Sequence, residues 1–249
     1  MIRVLTFILL LASPLHAEEI VLGLSRDEVA ITATFEGSEI EIFGAVKREQ
    51  AIPGEDDLGV IVTVAGPDVP VTVRRKDRRF GIWVNTEAVE IDVAPSFYAV
   101  ATNKPLDEIL DDSEDINTRI STRRAIRSVG PSEIGSEKFT NALVRIRASQ
   151  ELYQTLPTGV WVKDDTLFRA LIELPANLTE GNYKAEIYLT RGGKIIDLYS
   201  TAIPVKKVGL ERWLYNLAHD NALLYGLMSL SIAIAAGWGA SAAFSILRR

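Results

Sequence analysis

Ala222 to Leu247 reads ALLYGLMSLSIAIAAGWGASAAFSIL, twenty-six residues without a charged side chain, and Arg248-Arg249 follow it. As a helix this stretch spans roughly 39 Å at about 1.5 Å per residue, enough to cross a bilayer core of about 30 Å with some tilt. The chain therefore reads as a protein held in a membrane near its C-terminal end. Ser229, Ala233, Gly237 and Ser241 recur every four residues along the segment. Small side chains in one stripe let two membrane helices approach closely, so this face is a candidate helix-packing surface for a second copy or for a different membrane protein. The plainer explanation is composition, since such residues are frequent in membrane helices. Just upstream, Trp213 and Tyr215, joined by Tyr225, suit the headgroup level as membrane-interface residues.

The other end reads as a secretory signal peptide. Arg3 supplies a positive start, Val4 to Ala12 is apolar except for Thr6, and Leu15-His16-Ala17 makes a cleavage site after Ala17. About nine apolar residues are too few for a second membrane span. Export followed by one stop-transfer helix puts the middle of the chain outside the cytoplasm and Arg248-Arg249 inside, as the positive-inside rule prefers. Lys206, Lys207 and Arg212 lie on the outer side in this topology. The signal peptide outweighs them, because long domains translocate largely regardless of charge.

Between the two ends the sequence alternates short apolar runs with Gly, Pro and Asp. Ile31–Phe35, Glu39–Phe43, Val60–Val64, Val69–Val73, Gly81–Val84 and Val89–Val93 read as strands. Pro105 opens a helical stretch with acidic residues from Asp107 to Asp115 and basic ones from Arg119 to Arg127, the order a helix dipole favours. Ile109, Ile116 and Ile120 give it an approximate apolar stripe. A second helix starts near Ser136, with Phe139, Leu143 and Ile146 on one face. Gly159–Val162 and Leu167–Leu174 are strands again, and Tyr183–Thr190 pairs with Lys194–Val205 across Gly192-Gly193. Glu180-Gly181-Asn182-Tyr183 resembles the tyrosine corner of immunoglobulin-like sandwiches, with Ala185 where antibody domains carry a cysteine. An ordinary strand opening is the simpler alternative.

The expected fold class is mainly β: two immunoglobulin-like β-sandwich modules joined by a helical segment, plus one C-terminal transmembrane helix. The expected boundaries are a signal peptide (1–17), an N-terminal β module (18–103), a helical connector (104–153), a C-terminal β module (154–208), a juxtamembrane segment (209–221), the membrane helix (222–247) and a cytoplasmic end (248–249).

Composition removes many activities. The chain has no cysteine and two histidines; His16 falls in the signal peptide and His219 lies beside the membrane helix. The region between them therefore excludes Ser-His-Asp and Cys-His catalysis, His-ligated zinc and thiol redox chemistry. Chemistry based on paired carboxylates, Lys or Tyr stays open. A formal net charge of −6 gives no support for nucleic-acid binding. The run Asp111 to Asn117 faintly echoes a calcium loop, but Ile116 holds the glycine position and Thr122 the final ligand position. A solvated helical face is expected there, with no metal and no cofactor. Arg74-Arg75-Lys76-Asp77-Arg78-Arg79 is a dense basic segment between two strands. Arg74, Arg75, Arg78 and Arg79 are candidate docking residues for an acidic partner or for anionic headgroups; a solvated hairpin tip is the plainer reading.

Two stretches carry a family resemblance. They are Ile20 to Val46, with its core FEGSEIEIFG at Phe35–Gly44, and Glu180 to Leu217, which runs from Glu-Gly-Asn-Tyr into Gly209-Leu210-Glu211-Arg212-Trp213. With the architecture they resemble the alphaproteobacterial putative transmembrane protein family (Alph_Pro_TM). The motifs are structural, and the family offers no catalytic residues to carry over. The resemblance implies a bacterial, single-pass inner-membrane protein with its soluble region in the periplasm. It also associates the chain with a sulfite- or sulfonate-exporter-type permease. The expectation is a non-enzymatic accessory or scaffolding subunit of a membrane complex. The alternatives are a membrane-tethered periplasmic module that binds an anionic solute, and a hydrolase using two facing carboxylates.

Overall fold

The computed structural model describes residues 18–26, 28–32, 35–48, 57–127 and 136–247. The expected signal peptide at 1–17 and cytoplasmic end at 248–249 lie outside the described residues. The chain divides into two compact units. One holds residues 1–29 and 36–205; the other holds 30–35 and 206–249.

The first unit is mainly β. One sheet has the order β1-β3-β10-β9, from β1 (Glu18–Leu24), β3 (Ser38–Arg48), β10 (Leu167–Leu174) and β9 (Val160–Lys163). A six-stranded sheet has the order β2-β12-β11-β4-β7-β8. Its members are β2 (Val29–Ile31), β12 (Lys194–Lys207), β11 (Gly181–Arg191), β4 (Gly59–Ala65), β7 (Tyr98–Thr102) and β8 (Tyr153–Leu156). The β7–β8 pair is parallel. Beside them stands a two-stranded ribbon, β5 (Asp68–Arg79) with β6 (Ile82–Pro95).

The two sheets pack face to face, β4 against β9 and β7 against β10. Alternation dictates which side chains go in. On β10, Phe168, Ala170, Ile172 and Leu174 are buried while the residues between them are exposed. On β3, Ile40 and Ile42 do the same. Strand β7 is buried at every position, as a central strand covered on both faces must be.

This topology replaces the two separate sandwiches expected from sequence. Strand β3 pairs with β10, and β4 pairs with β11, so strands from both ends of the chain share both sheets. The physical reason is coverage: the N-terminal strands leave apolar faces that only the C-terminal strands close. The Tyr183 feature has the expected geometry. Its ring is fully buried, and its hydroxyl donates to the Thr179 carbonyl at 2.9 Å, a few residues upstream.

The helical stretch after Pro105 is broken into α1 (Leu106–Ile109), α2 (Asp112–Thr118) and α3 (Thr122–Ala125). Pro105 precedes the first turn rather than opening it. Arg119 takes the left-handed conformation at φ 59° and ends α2. The break is fixed by Asp115, whose Oδ1 accepts the Ser121 N–H at 2.7 Å while Oδ2 pairs with Arg124 Nε at 3.2 Å. Side-chain bonding to the backbone competes here with continued helix. Ile109 and Ile120 are buried but Ile116 is exposed, so the expected stripe is not continuous. Helix α4 (Ser136–Ser149) forms where expected, with Leu143 buried, Phe139 half-buried and Ile146 exposed.

In the second unit, α5 (Leu210–Asp220) ends at Asn221, and α6 (Ala222–Leu247) follows as a separate helix. The Val208 N–H donates to the Ile31 carbonyl at 2.8 Å.

Candidate functional site

Helix α6 is long and apolar enough to cross a membrane; its window Ala222–Ser241 has a mean hydropathy of 1.6, and none of it is buried in the protein. Ser229, Ala233, Gly237 and Ser241 are all exposed, and a side chain added at Gly237 would meet nothing within 4 Å. The stripe read from sequence is thus an open face. Ser231 bonds back to the Leu227 carbonyl at 2.8 Å, which satisfies its hydroxyl within the helix. On α5, Trp213 and Tyr215 are exposed while Leu214 and Leu217 are half-buried. Tyr215 stacks on His219 at 3.9 Å between ring centroids. Tyr225 is exposed on the first turn of α6. The three aromatics expected at a membrane interface therefore lie on two helices on either side of the Asn221 break.

The basic segment is not a loop. Arg74 to Arg79 forms the outer half of strand β5, and the turn is Phe80-Gly81, with φ of 51° and 85°. Two consecutive residues with positive φ are what a two-residue hairpin turn between twisted strands requires. The ribbon's bulge between Arg75 and Lys76 shifts the register. Arg74, Arg75, Arg78 and Arg79 are all exposed. Arg75 and Lys76, with Arg74, also line a cleft of about 570 Å³ between the ribbon and α4. Lys138 and Arg145 enter it from the helix, and Glu87 enters from β6. Five cations thus face one carboxylate, and Glu87 pairs with Arg75 at 3.4 Å. Such a cleft attracts anions.

A third surface was not read from sequence. The outer face of the four-stranded sheet carries Val21, Phe43, Trp161, Leu167 and Leu171, all exposed. Registers place Phe43 opposite Arg169, which in turn faces Trp161, and Arg169 pairs with Glu41. Gly23 makes this possible: a Cβ there would meet the Phe43 ring at 2.6 Å. The signal in the sequence was the odd-numbered apolar residues of β10, which alternation turns away from the core.

Tyrosine chemistry had stayed open from composition. Burial pushes the Tyr153 hydroxyl up to about 12, and it donates to the Pro95 carbonyl at 2.8 Å. Burial likewise raises Tyr98, which donates to the Ile120 carbonyl at 2.7 Å. Both hydroxyls hold their protons at neutral pH; Tyr98 pins the connector to the six-stranded sheet, and Tyr153 pins the base of the ribbon to it. The acidic run after Asp111 is spent on local structure: Asp112 pairs with Arg124 at 3.1 Å, as Asp115 does on the same guanidinium. Among the described residues no cluster of three or more His, Cys, Asp and Glu is disposed to hold a metal ion.

No curated protein matches the chain. A family model described as "Putative transmembrane protein (Alph_Pro_TM)" matches residues 19–246, from the first strand through the apolar helix. The chain belongs to the Alph_Pro_TM family.

Proposed function

We propose that this protein is a membrane-anchored accessory or scaffolding subunit of a membrane complex, not an enzyme. Its β-rich region lies in the periplasm, its C-terminus lies in the cytoplasm, and its partner is a multi-span permease of the sulfite- or sulfonate-exporter type. The observation that carries this reading is the open small-residue face of α6, the one helix among the described residues long and apolar enough to cross a membrane. A single helix cannot enclose a solute pathway, so a role in transport needs a second membrane protein. A small-residue face supplies the close packing that such an association uses. The exposed apolar side chains on the outer face of the four-stranded sheet, interrupted by the Arg169–Glu41 pair, offer a further contact surface.

Affinity purification of the full chain from its native host in gentle detergent, followed by mass spectrometry, tests the proposal. Stoichiometric recovery of one multi-span protein supports it. Repeated recovery of the chain alone refutes it.

The cleft between the ribbon and α4 favours a second reading, a membrane-tethered module that binds a small anion. Titration of the purified full chain with sulfate or phosphate in a calorimeter examines this. Heat that disappears in Lys138→Ala/Arg145→Ala supports it.

A further inference from the structure

Beyond the cleft, the β5–β6 ribbon ends in three apolar side chains that the core does not use. Phe80 is fully exposed at 106 % of its reference area, Trp83 is 69 % exposed and Ile82 is 65 % exposed. Phe80 also holds φ at 51°, a conformation that is a genuine outlier for a bulky residue. The two-residue turn itself requires this φ, and Phe80 gains no burial there.

Cationic side chains sit beside these residues on the facing strand. Register pairs Trp83 with Arg78 and Ile82 with Arg79, and Lys76 lies two positions before Arg78, opposite Asn85. Asp77, the one carboxylate among them, accepts the Arg78 N–H at 2.8 Å. Side chains alternate faces along a strand, so Ile82 and Trp83 point to opposite sides of the ribbon. Each face of the end therefore carries an apolar side chain with a cation directly across the ribbon from it. A flat protein surface would cover only one of those faces. Three tip residues are also far fewer than the roughly 20–30 residues a side of a stable protein interface. Immersion of the end in a bilayer covers both faces at once. Trp settles at the headgroup level, and Arg and Lys reach the phosphates while their stems stay apolar.

We propose that the ribbon is a lipid-docking finger: Phe80, Ile82 and Trp83 enter the interfacial layer of an anionic bilayer, and Arg78, Arg79 and Lys76 bind its phosphate headgroups. A chain already tethered to membrane needs only a weak contact here, because tethering raises the effective concentration of lipid. This inference does not depend on the permease proposal.

The absence of cysteine makes the test direct, since Ile82→Cys gives the full chain a unique thiol. The labelled protein, carrying an environment-sensitive nitrobenzoxadiazole dye, is reconstituted in vesicles of phosphatidylethanolamine with phosphatidylglycerol, and in vesicles of phosphatidylcholine. The expected result is a blue-shifted, brighter emission in the anionic vesicles, quenched by spin-labelled lipid. A dye placed by Lys163→Cys on β9 gives no such shift. Arg78→Glu/Arg79→Glu abolishes the shift, and Phe80→Ser/Trp83→Ser reduces it. Inorganic phosphate leaves it no weaker than chloride of equal ionic strength does, which separates headgroups from a free-phosphate site. Emission at position 82 equal to that at 163 in anionic vesicles overturns the proposal. So does an equal shift in phosphatidylcholine, or a shift seen only in native membranes that contain other proteins.

Discussion

Glu18 joins the two sheets through charge. It is 6 % exposed, and its Oε1 lies 2.6 Å from Arg48 Nε on β3 and 2.9 Å from an Arg191 guanidinium nitrogen on β11. Burial by itself would raise this carboxyl, but the hydrogen bonds and charges of Arg191 and Arg48 outweigh it and hold the group below its ordinary 4.5. Asp197 completes the corner by accepting the Ile20 N–H at 2.9 Å. Removing one partner of a buried pair leaves the other charges unpaired, so Glu18→Ala should destabilise the fold by about 3 kcal/mol at pH 7. The sign with pH follows from the lowered value. The stabilisation is present above the unfolded value and is lost as pH falls through the folded one. Thermal unfolding of wild type and variant should therefore differ most near neutrality and converge at pH values below 4.5. A gap that stays constant down to pH 3 would show that the charge is not what stabilises. Tyr183 gives a smaller effect: Tyr183→Phe keeps the ring against Phe97, 6.0 Å between centroids, and loses the bond to Thr179. Denaturant unfolding should report a loss of about 1 kcal/mol. Tyr183 was legible from its Gly-x-Tyr setting. The Glu18 cluster was not, because its arginines lie 30 and 173 residues away and no local pattern links them.

Element boundaries follow the same division between local and distant causes. The hairpin across Gly192-Gly193 was legible because both residues take positive φ, at 52° and 79°, and glycine advertises that. Gly193 has a second constraint, since a Cβ there would meet the Asp111 carboxylate at 2.3 Å. The ribbon's turn was misplaced into its basic stretch. Charge suggests a loop, whereas Gly81, followed at once by the strand residues Ile82-Trp83-Val84, is the better signal. Strand β7 went unread because a strand buried on both sides shows no alternation. For α6 the period of four is visible in sequence, and the open face in the structure makes it testable. Leu at Ala233 and Gly237 would hold a partner helix away. A membrane two-hybrid signal should fall severalfold in Ala233→Leu/Gly237→Leu while insertion is unchanged. An undiminished signal would remove the stripe from the account.

At the scale of the whole molecule, hydropathy alone picks out the candidate membrane helix, and pairing between sequence-distant strands hides the rest. The proposed anchoring makes orientation a measurable quantity. A reporter that works only outside the cytoplasm should be active when fused after Gln150, and one that works only inside should be silent there. The shared sheets carry a different consequence. Residues 18–103 contain β1, β3, β4 and β7, whereas residues 154–208 contain β9 to β12. Each piece alone would expose the edges and inner faces that the other covers, including β3 where β10 pairs and β4 where β11 pairs. Hydrophobic burial is the main favourable contribution to folding, and a fragment with half of each sheet cannot bury enough to offset its chain entropy. Expressed separately, the pieces 18–103 and 154–208 should each lack a cooperative thermal transition and bind a hydrophobic dye. Mixed together, they should regain some of the near-ultraviolet dichroism of the packed tyrosines Tyr98, Tyr183 and Tyr188. Two independent modules would instead each melt cooperatively by themselves, and mixing would add nothing.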